Sequence, residues 1–144
     1  MDVEALKRCL PFGYPYLLID RVLERGAEEV VATKCVTVNE PYFQGHFRAP
    51  YPSLMPGTMI LEGMAQTAGL LLADGKLAVL ATVERARFHR SVVPGDRILY
   101  RARAVRRRLG LLKAEVRAEV EGERVAEAVI SLMELSADDV GKAS

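Results

Sequence analysis

The sequence predicts an α+β fold in which an antiparallel sheet wraps one buried helix. Residues 57–73 are apolar almost all round and rich in small side chains, which predicts a helix that neighbouring backbone can approach closely. After Lys76 apolar side chains recur at every second position as far as residue 135, the period of a sheet with one buried face. A buried helix followed by a meander of long strands indicates this fold class.

The composition predicts one ordinary globular domain. The chain has 144 residues, half of them apolar, and a formal net charge of +1, which excludes global disorder and bulk attraction to nucleic acids. A chain of this length buries roughly 68% of its unfolded surface on folding, so no second domain is needed. We predict a single domain over residues 1–136 and a polar tail over residues 137–144.

The two cysteines, Cys9 and Cys35, stand in apolar surroundings without metal-ligand spacing. This pattern favours reduced thiols in a cytoplasmic protein over a disulfide, and it predicts no metal site and no cofactor. The acidic start of the chain has no apolar run before Pro11, which argues against a secretory signal. Residues 54–73 approach the length of a membrane span, but their carboxylate, proline and glycines suit packing within protein.

The N-terminal third predicts one short helix and two strands. Asp2 is a suitable N-cap for a helix over residues 2–10, which Pro11 ends. The apolar run 17–22 predicts a short strand, and the segment 29–38, rich in valine and threonine, predicts a second one.

A proline-rich loop, residues 45–56, precedes the central helix. Pro56 and Gly57 suit the first turn of a helix, where a missing N–H group is no loss. The helix then continues to residue 73, and Asp74-Gly75 marks its end.

The C-terminal half predicts a four-stranded meander. β-Branched residues in the first segment, and alternation of apolar with charged side chains in the next two, indicate strands with one buried and one solvated face. Short glycine-containing segments between the later strands predict hairpin turns. The predicted strands cover residues 77–90, 97–106, 113–121 and 125–135, with turns at residues 108–110 and 121–123.

Arginines concentrate in one part of this meander. Nine of them lie between Arg85 and Arg108, with Asp96 as the only acid in that stretch. We expect those at alternate positions to form a solvated sheet face that pairs with Glu115 and Glu119 of the next strand.

One carboxylate in the central helix points to chemistry. Between Ala49 and Ala73 the only charged side chain is Glu62, and a carboxylate taken out of water without a partner is costly. Glu62 can be a residue that merely points outward at one end of a core helix, or a functional acid. His46, on the preceding loop, can take or give a proton near neutral pH.

The start of the same helix adds a third chemical group. N–H groups around Gly57 have no acceptor within the helix and can polarise a carbonyl oxygen. Glu62 lies about one and a half turns further on, within expected reach of a group bound there. A base, an acid and an electrophilic backbone fit proton removal next to a carbonyl with loss of a neighbouring leaving group.

A series of short blocks runs through residues 10–135. The blocks are Leu10-Pro11, Tyr14-Pro15, Leu17-Leu18, Asp20-Arg21-Val22, Asn39-Glu40-Pro41, Phe43-Gln44-Gly45-His46-Phe47, Met55-Pro56-Gly57, Ile60-Leu61-Glu62, Ala65-Gln66, Arg87-Phe88 and Val92-Val93-Pro94-Gly95-Asp96. Together they resemble the (3R)-hydroxyacyl-[acyl-carrier-protein] dehydratases of bacterial fatty-acid synthesis. The histidine block and the helix with its glutamate are the most specific parts.

The resemblance implies a hot-dog fold and a homo-oligomer, either a dimer or a trimer of dimers, in which the two catalytic residues meet across a dimer interface. It implies that His46 removes the C2 proton of an acyl thioester on acyl carrier protein. Glu62 would protonate the departing C3 hydroxyl, and the Gly57 N–H would hold the thioester oxygen. The product would be a trans-2-enoyl thioester, and glutamate at position 62 resembles the branch that dehydrates without isomerising.

Further site residues follow from the same resemblance. The implied substrate-binding residues are Gly57, Gly45, Phe47, Gln66 and Phe88. The implied contacts with the acidic carrier protein are Arg87 and Arg90.

Two other functions remain open for these residues. In a hot-dog acyl thioesterase, Glu62 would activate water. In a non-catalytic acyl-binding subunit, the fold would hold an acyl chain or support a catalytic partner. The loop between Phe47 and Met55, which is longer than usual in the family, permits the second alternative. The segment 71–77 is shorter than usual, in a region that shapes the acyl tunnel in that family.

Overall fold

The computed structural model describes residues 1–136 and has the predicted α+β order of elements. The predicted tail, residues 137–144, lies outside the described residues. Within them, no helix is long and apolar enough to cross a membrane. The elements are α1 (Val3–Cys9), β1 (Arg21–Arg25), β2 (Glu29–Cys35), a short 3-10 helix (Pro41–Gln44), α2 (Gly57–Gly69), β3 (Ala78–Phe88), β4 (Arg97–Arg108), β5 (Leu111–Val120) and β6 (Glu123–Glu134).

All six strands form one antiparallel sheet in the order β1-β2-β4-β5-β6-β3. The predicted four-stranded meander is wrong in its first strand, because β3 pairs with β6 and not with β4. The predicted hairpin turns join β4 to β5 and β5 to β6. Their central residues, Leu109-Gly110 and Glu121-Gly122, all have positive φ. This conformation matches the right-handed twist of the strands that the turn connects.

The inner face of the sheet packs against α2. At alternate positions β4 and β5 bury apolar side chains, as their sequence period predicts, whereas β6 buries every residue from Val125 to Leu132 except Glu127. Tyr100 on β4 is fully buried and crosses α2 at Gly63, where a Cβ atom would lie 2.3 Å from the tyrosine Oη and 2.4 Å from Cζ. Only a glycine allows the helix and the strand to approach this closely.

The helix α2 ends earlier than its apolar pattern predicts, at Gly69 rather than residue 73. Two arginines from the sheet reach the carbonyl groups that follow it. Arg25 donates from Nε to the Leu70 oxygen at 2.9 Å and from a terminal nitrogen to Leu72 at 3.2 Å, while Arg107 donates to the Leu71 oxygen at 3.1 Å. Because the last carbonyl groups of a helix need partners from outside it, these contacts stabilise the early end.

The strand predicted over residues 17–22 is displaced, because β1 begins only at Arg21. The apolar run before it bonds elsewhere: the Leu18 N–H donates to the side chain of Gln66 at 2.9 Å. Leu18 is therefore buried against the helix instead of belonging to the sheet. Similarly, the second predicted strand ends at Cys35 instead of residue 38.

Replacing Gly63 with alanine is expected to lower the free energy of unfolding by about 1–3 kcal/mol, the usual cost of overpacking a core. The matched control is Gly69→Ala, since a Cβ atom there meets nothing nearer than Cδ2 of Leu10 at 3.5 Å. Urea denaturation measures both changes. Equal stability of the two variants would contradict the close crossing at Tyr100.

Candidate active site

A cleft of about 410 Å³ opens at the N-terminal end of α2. Its wall combines the loop after the 3-10 helix, the first turn of α2 and the residues at the end of β3. Apolar side chains, including Ile60, make up much of it. The predicted site residues in this wall are His46, Phe47, Gly57, Phe88 and Arg90.

The imidazole of His46 has a defined orientation. The His46 N–H donates to the Tyr42 oxygen at 2.9 Å, which fixes its backbone to the 3-10 helix. Its Nδ1 lies 2.8 Å from the carbonyl oxygen of Leu54. Because a carbonyl oxygen can only accept, Nδ1 carries the hydrogen in this bond, and Nε2 has the lone pair. His46 is thereby set up as a base through Nε2.

A buried lysine anchors the 3-10 helix that precedes His46. Lys34 on β2 is 6% exposed, and its ammonium donates to Glu40, just before the 3-10 helix, at 2.7 Å. The carboxylate of Asp20 lies 3.6 Å from the same ammonium. A buried ion pair of this kind contributes more to orientation than to net stability, and here it fixes where the histidine loop leaves the sheet.

The loop that follows His46 extends into solvent between two fixed ends. Residues 47–53 are all exposed. The end of the loop is held by the Met55 N–H, which donates to the Val92 oxygen at 2.8 Å. The Leu54 carbonyl that orients the imidazole is therefore fixed to the connection between β3 and β4.

Gly57 brings an open N–H group to the cleft. It is the first residue of α2, and the Pro56 oxygen accepts the first two helical hydrogen bonds, from Met59 and Ile60. The ring of Phe88 lies over Gly57, where a Cβ atom would come within 3.2 Å of the ring Cε1. Glycine thus permits both the aromatic contact and the approach of a ligand oxygen to the N–H.

Glu62 does not belong to this cleft within one chain. An α-helix turns by about 100° per residue, so Glu62 points about 140° away from Gly57 around the axis of α2. The expectation that both would act on one bound group therefore fails within one chain, because the spacing of five residues places them on different sides of the helix. The half-buried Glu62 instead accepts a hydrogen bond from Nε2 of Gln66 at 3.0 Å.

Gln66 is a bridge between Glu62 and the segment before β1. It is only 2% exposed. Its Oε1 accepts from the Leu18 N–H at 2.9 Å, and its Nε2 donates to the Tyr16 oxygen at 2.7 Å as well as to Glu62. Gln66, implied as a substrate-binding residue, lies outside the cleft, and its amide is engaged with protein atoms.

Tyr16 approaches the same carboxylate with its phenol group. Burial raises the pKa of Tyr16, and the charge of Glu62 and a hydrogen bond to it raise this pKa further. The hydroxyl therefore stays protonated at neutral pH and can donate to Glu62. Two donors, from Gln66 and Tyr16, thus hold the carboxylate in place.

The remaining predicted residues lie in different surroundings. Gly45 is exposed next to His46 but is not part of the cleft wall. Arg90 lies 3.2 Å from Glu123 and 3.5 Å from Asp96, at the rim of the cleft. Arg87 lies on the outer face of the sheet, in a separate groove. The two arginines implied as carrier contacts thus face different parts of the surface.

Two groups of the site could not be identified from the sequence. The Leu54 carbonyl carries no sequence signal, since every residue has one. Tyr16 lies just before the run 17–22 that predicted a strand, and no sequence pattern indicated that its hydroxyl approaches the helix. By contrast, the predicted pairing of the arginines with the next strand is confirmed. Arg103 lies 2.6 Å from Glu115, and Arg101 lies 3.7 Å from Glu119.

Within residues 1–136, no three His, Cys, Asp or Glu side chains are placed to hold a metal ion. The thiols of Cys9 and Cys35 are both free. In the cleft, the wall brings His46 and Gly57 together with apolar side chains and Arg90. A base facing a carbonyl-binding N–H can remove a proton from the carbon next to that carbonyl.

The fold is the hot-dog fold, one helix against one antiparallel sheet. A subunit of the dehydratase heterocomplex ApeI:P from Xenorhabdus doucetiae superposes with a TM-score of 0.81 at 16% identity, covering 96% of this chain and 95% of that one. A hypothetical thioesterase from Streptococcus pneumoniae, solved with coenzyme A, gives a TM-score of 0.65 at 14% identity, over 81% and 85% of the chains. At these identities the likeness concerns the fold alone.

The sequence relationship defines the family. The model of the FabA-like domain matches residues 10–129, and the chain belongs to this family. The 3-hydroxyacyl-[acyl-carrier-protein] dehydratase FabZ of Streptococcus gordonii is 43% identical, over 91% of this chain and 96% of that protein. The FabZ of Bartonella quintana is 45% identical, over 96% of this chain and 92% of its own length.

Replacing Gln66 with leucine is expected to lower the free energy of unfolding by about 2–4 kcal/mol. The substitution leaves the Leu18 N–H and the Tyr16 carbonyl without their partner, and each buried unpaired group costs about 1–3 kcal/mol. The matched control is Gln44→Leu, which changes an exposed glutamine at the end of the 3-10 helix. If urea denaturation shows the same loss for both variants, Gln66 does not anchor this segment.

Proposed function

We propose that this protein dehydrates (3R)-hydroxyacyl thioesters on acyl carrier protein to trans-2-enoyl thioesters in fatty-acid synthesis. Membership of the FabA-like family and the two FabZ relatives support the reaction. The structural observation behind the proposal is that His46 and Gly57 line one cleft. The contact of Nδ1 with the Leu54 oxygen leaves Nε2 of His46 for a ligand there.

The first half of the proposed reaction takes place within this cleft. The thioester oxygen accepts a hydrogen bond from the Gly57 N–H at the positive end of α2, which stabilises the negative charge that develops on that oxygen. Nε2 of His46 then takes the C2 proton. The hydrogen on Nδ1, held by the Leu54 carbonyl, keeps the imidazole in the tautomer that can accept it. Phe47 and Phe88 provide apolar surface for the acyl chain, with Gly45 beside them.

The second half of the reaction is the loss of the C3 hydroxyl group. In our proposal Glu62 donates a proton to this oxygen, the C3–O bond breaks, and the electrons of the former C2–H bond form the double bond. Water and the enoyl thioester leave. The two donors from Gln66 and Tyr16 stabilise the Glu62 carboxylate that results.

The proposed reaction needs two copies of the chain, because Glu62 points away from the cleft of its own chain. We propose that a second copy pairs with the edge strand β3 and places its Glu62 opposite His46. β3 is unusually open for a strand of 11 residues: Ala78 is half-buried and all other residues are exposed, including Leu80 at 45% and Val83 at 40%. A long apolar edge such as this normally acquires a partner strand.

We further propose that acyl carrier protein docks at the rim of the cleft beside Arg90, and that the protein works in the cytoplasm. The position of Arg90 at the rim suits a contact with an acidic partner. Free thiols at Cys9 and Cys35 suit a reducing compartment. The implied carrier contact Arg87 is on another surface, so we assign the docking charge to Arg90 first.

One assay tests the reaction itself. The purified protein is incubated with 3-hydroxyacyl and saturated acyl thioesters of several chain lengths, and enoyl absorbance and thiol release are followed together. We expect enoyl product without thiol release. Thiol release alone would establish a thioesterase, and neither signal with carrier-linked substrates would leave a non-catalytic acyl-binding subunit.

The variants His46→Ala and Glu62→Gln are each expected to lose at least about 10²-fold in activity, the typical size of a general acid or base contribution. When the two variants are mixed and their subunits exchange, about one quarter of wild-type activity is expected to return. Half of the dimers then contain one copy of each variant, and one of their two sites is intact if the interface is two-fold symmetric.

The control for this experiment is the double variant His46→Ala/Glu62→Gln mixed with wild-type chains. Here no mixed dimer contains an intact site, so activity is expected to fall as exchange proceeds. If the mixed single variants recover nothing although mass spectrometry shows exchanged dimers, the two residues do not meet between copies.

Arg90→Gln is expected to raise KM for a carrier-linked substrate about two- to fivefold at low salt, the size of one partly exposed charge contact. The value of kcat should change little, and the effect should shrink as salt rises. The matched control is Arg106→Gln, which removes an exposed arginine of β4 far from the cleft wall. An equal rise in KM for a coenzyme A-linked substrate would argue against a carrier contact.

A further inference from the structure

A second groove, of about 390 Å³, crosses β3, β4, β5 and β6 on the outer face of the sheet. Its wall contains six arginines and three glutamates, and Glu119 beside it contacts two of the arginines, which leaves an excess of two positive charges. The glutamates of the wall are Glu29, Glu115 and Glu127. The arginines are Arg85, Arg87, Arg101, Arg103, Arg117 and Arg124. We infer that this groove is a binding site for a small anion with two linked phosphate groups.

Like charges face each other in the middle of the groove. Arg101 and Arg117 are directly opposite in the pairing of β4 with β5, an arrangement that destabilises a sheet unless an anion lies nearby. Glu119 serves both, at 3.7 Å from Nε of Arg101 and 3.1 Å from Nε of Arg117. Even so, Nε of Arg101 is buried without a hydrogen-bond partner. Glu29, 4.0 Å from Arg101, is the other carboxylate beside this pair, and the two carboxylates leave guanidinium donors unused.

The edge strand adds two more guanidinium groups by means of a bulge. The pairing of β3 with β6 shifts between Glu84 and Arg87, and Arg85, inside the bulge, has a φ of 51°. A long side chain rarely adopts this left-handed conformation. Arg85 and Arg87 consequently both line the groove. Neither makes an ion pair or a side-chain hydrogen bond within residues 1–136, so their donors are free for a ligand.

The geometry of the charges selects the class of ligand. Guanidinium groups match pairs of phosphate oxygens with parallel hydrogen bonds, which favours phosphate over a spherical anion. Glu115 and Glu127 lie among the arginines and limit the positive surface to a patch. A long polyanion needs a continuous positive stripe, whereas two linked phosphate groups fit a patch of this size. The site is on the face of the sheet opposite α2, and it does not depend on the proposed dehydratase reaction.

Titration of the full chain with inorganic pyrophosphate by isothermal calorimetry tests the inference. The titration is done at low ionic strength, with sodium chloride of equal ionic strength as the reference. We expect saturable binding of one pyrophosphate per chain. The double variant Arg85→Gln/Arg117→Gln should weaken it at least about tenfold, the loss expected when charge-assisted hydrogen bonds are removed.

The matched control is Arg106→Gln/Arg108→Gln, which removes the same charge from exposed positions of β4 outside the groove. Its affinity should change by less than about twofold, as expected for screened charges at a distance. Thermal unfolding without ligand shows whether each variant is folded, and Arg85→Gln alone replaces the double variant if that one is not.

Three results would overturn the inference. The first is an absence of saturable heat beyond that of sodium chloride. The second is an equal loss of affinity in the control variant, which would indicate net charge instead of a site. The third is binding of an acidic peptide, lost in Arg85→Gln/Arg117→Gln, without binding of pyrophosphate, which would assign the groove to a protein partner.

Discussion

The close crossing of α2 and β4 is the contact on which the rest of the structure depends. Gly63 and Tyr100 meet with no room for a Cβ atom, so the helix lies directly on the inner face of the sheet. From that fixed point, the first turn of the helix reaches Phe88 at the end of β3, which places Gly57 in the cleft. Further along, Gln66 meets the segment before β1 and sets the position of Glu62.

The sequence predicted the fold class and most of the elements because periodicity reports directly on burial. Strands β4 and β5 alternate with period two, and the small residues of α2 indicate close packing. The prediction was wrong where a side chain from a distant element decides the outcome. Arg25 and Arg107 end α2 early, and Gln66 draws Leu18 away from the sheet. Such contacts leave no local pattern in the sequence.

The candidate site was predictable in its residue types and only partly in its arrangement. His46 and Gly57 lie in one cleft, in agreement with a base beside a carbonyl-binding helix end. Glu62 lies outside this cleft, because a spacing of five residues places two side chains on different sides of a helix. The spacing therefore already argued against a site within one chain, in line with the interface that the family resemblance implied.

The loop after His46 holds the imidazole through its two ends and exposes its middle at the cleft entrance. Its ends are tied to the framework, by the Tyr42 oxygen at one end and by the Met55–Val92 hydrogen bond at the other. Between them, residues 47–53 are exposed. Phe47 packs on the imidazole, with ring centroids 4.1 Å apart, but insertions, deletions or new side chains within residues 48–53 can accumulate at the cleft entrance without moving it. In evolutionary terms, the preference for a ligand can drift here while the relative position of His46 and Gly57 is inherited unchanged.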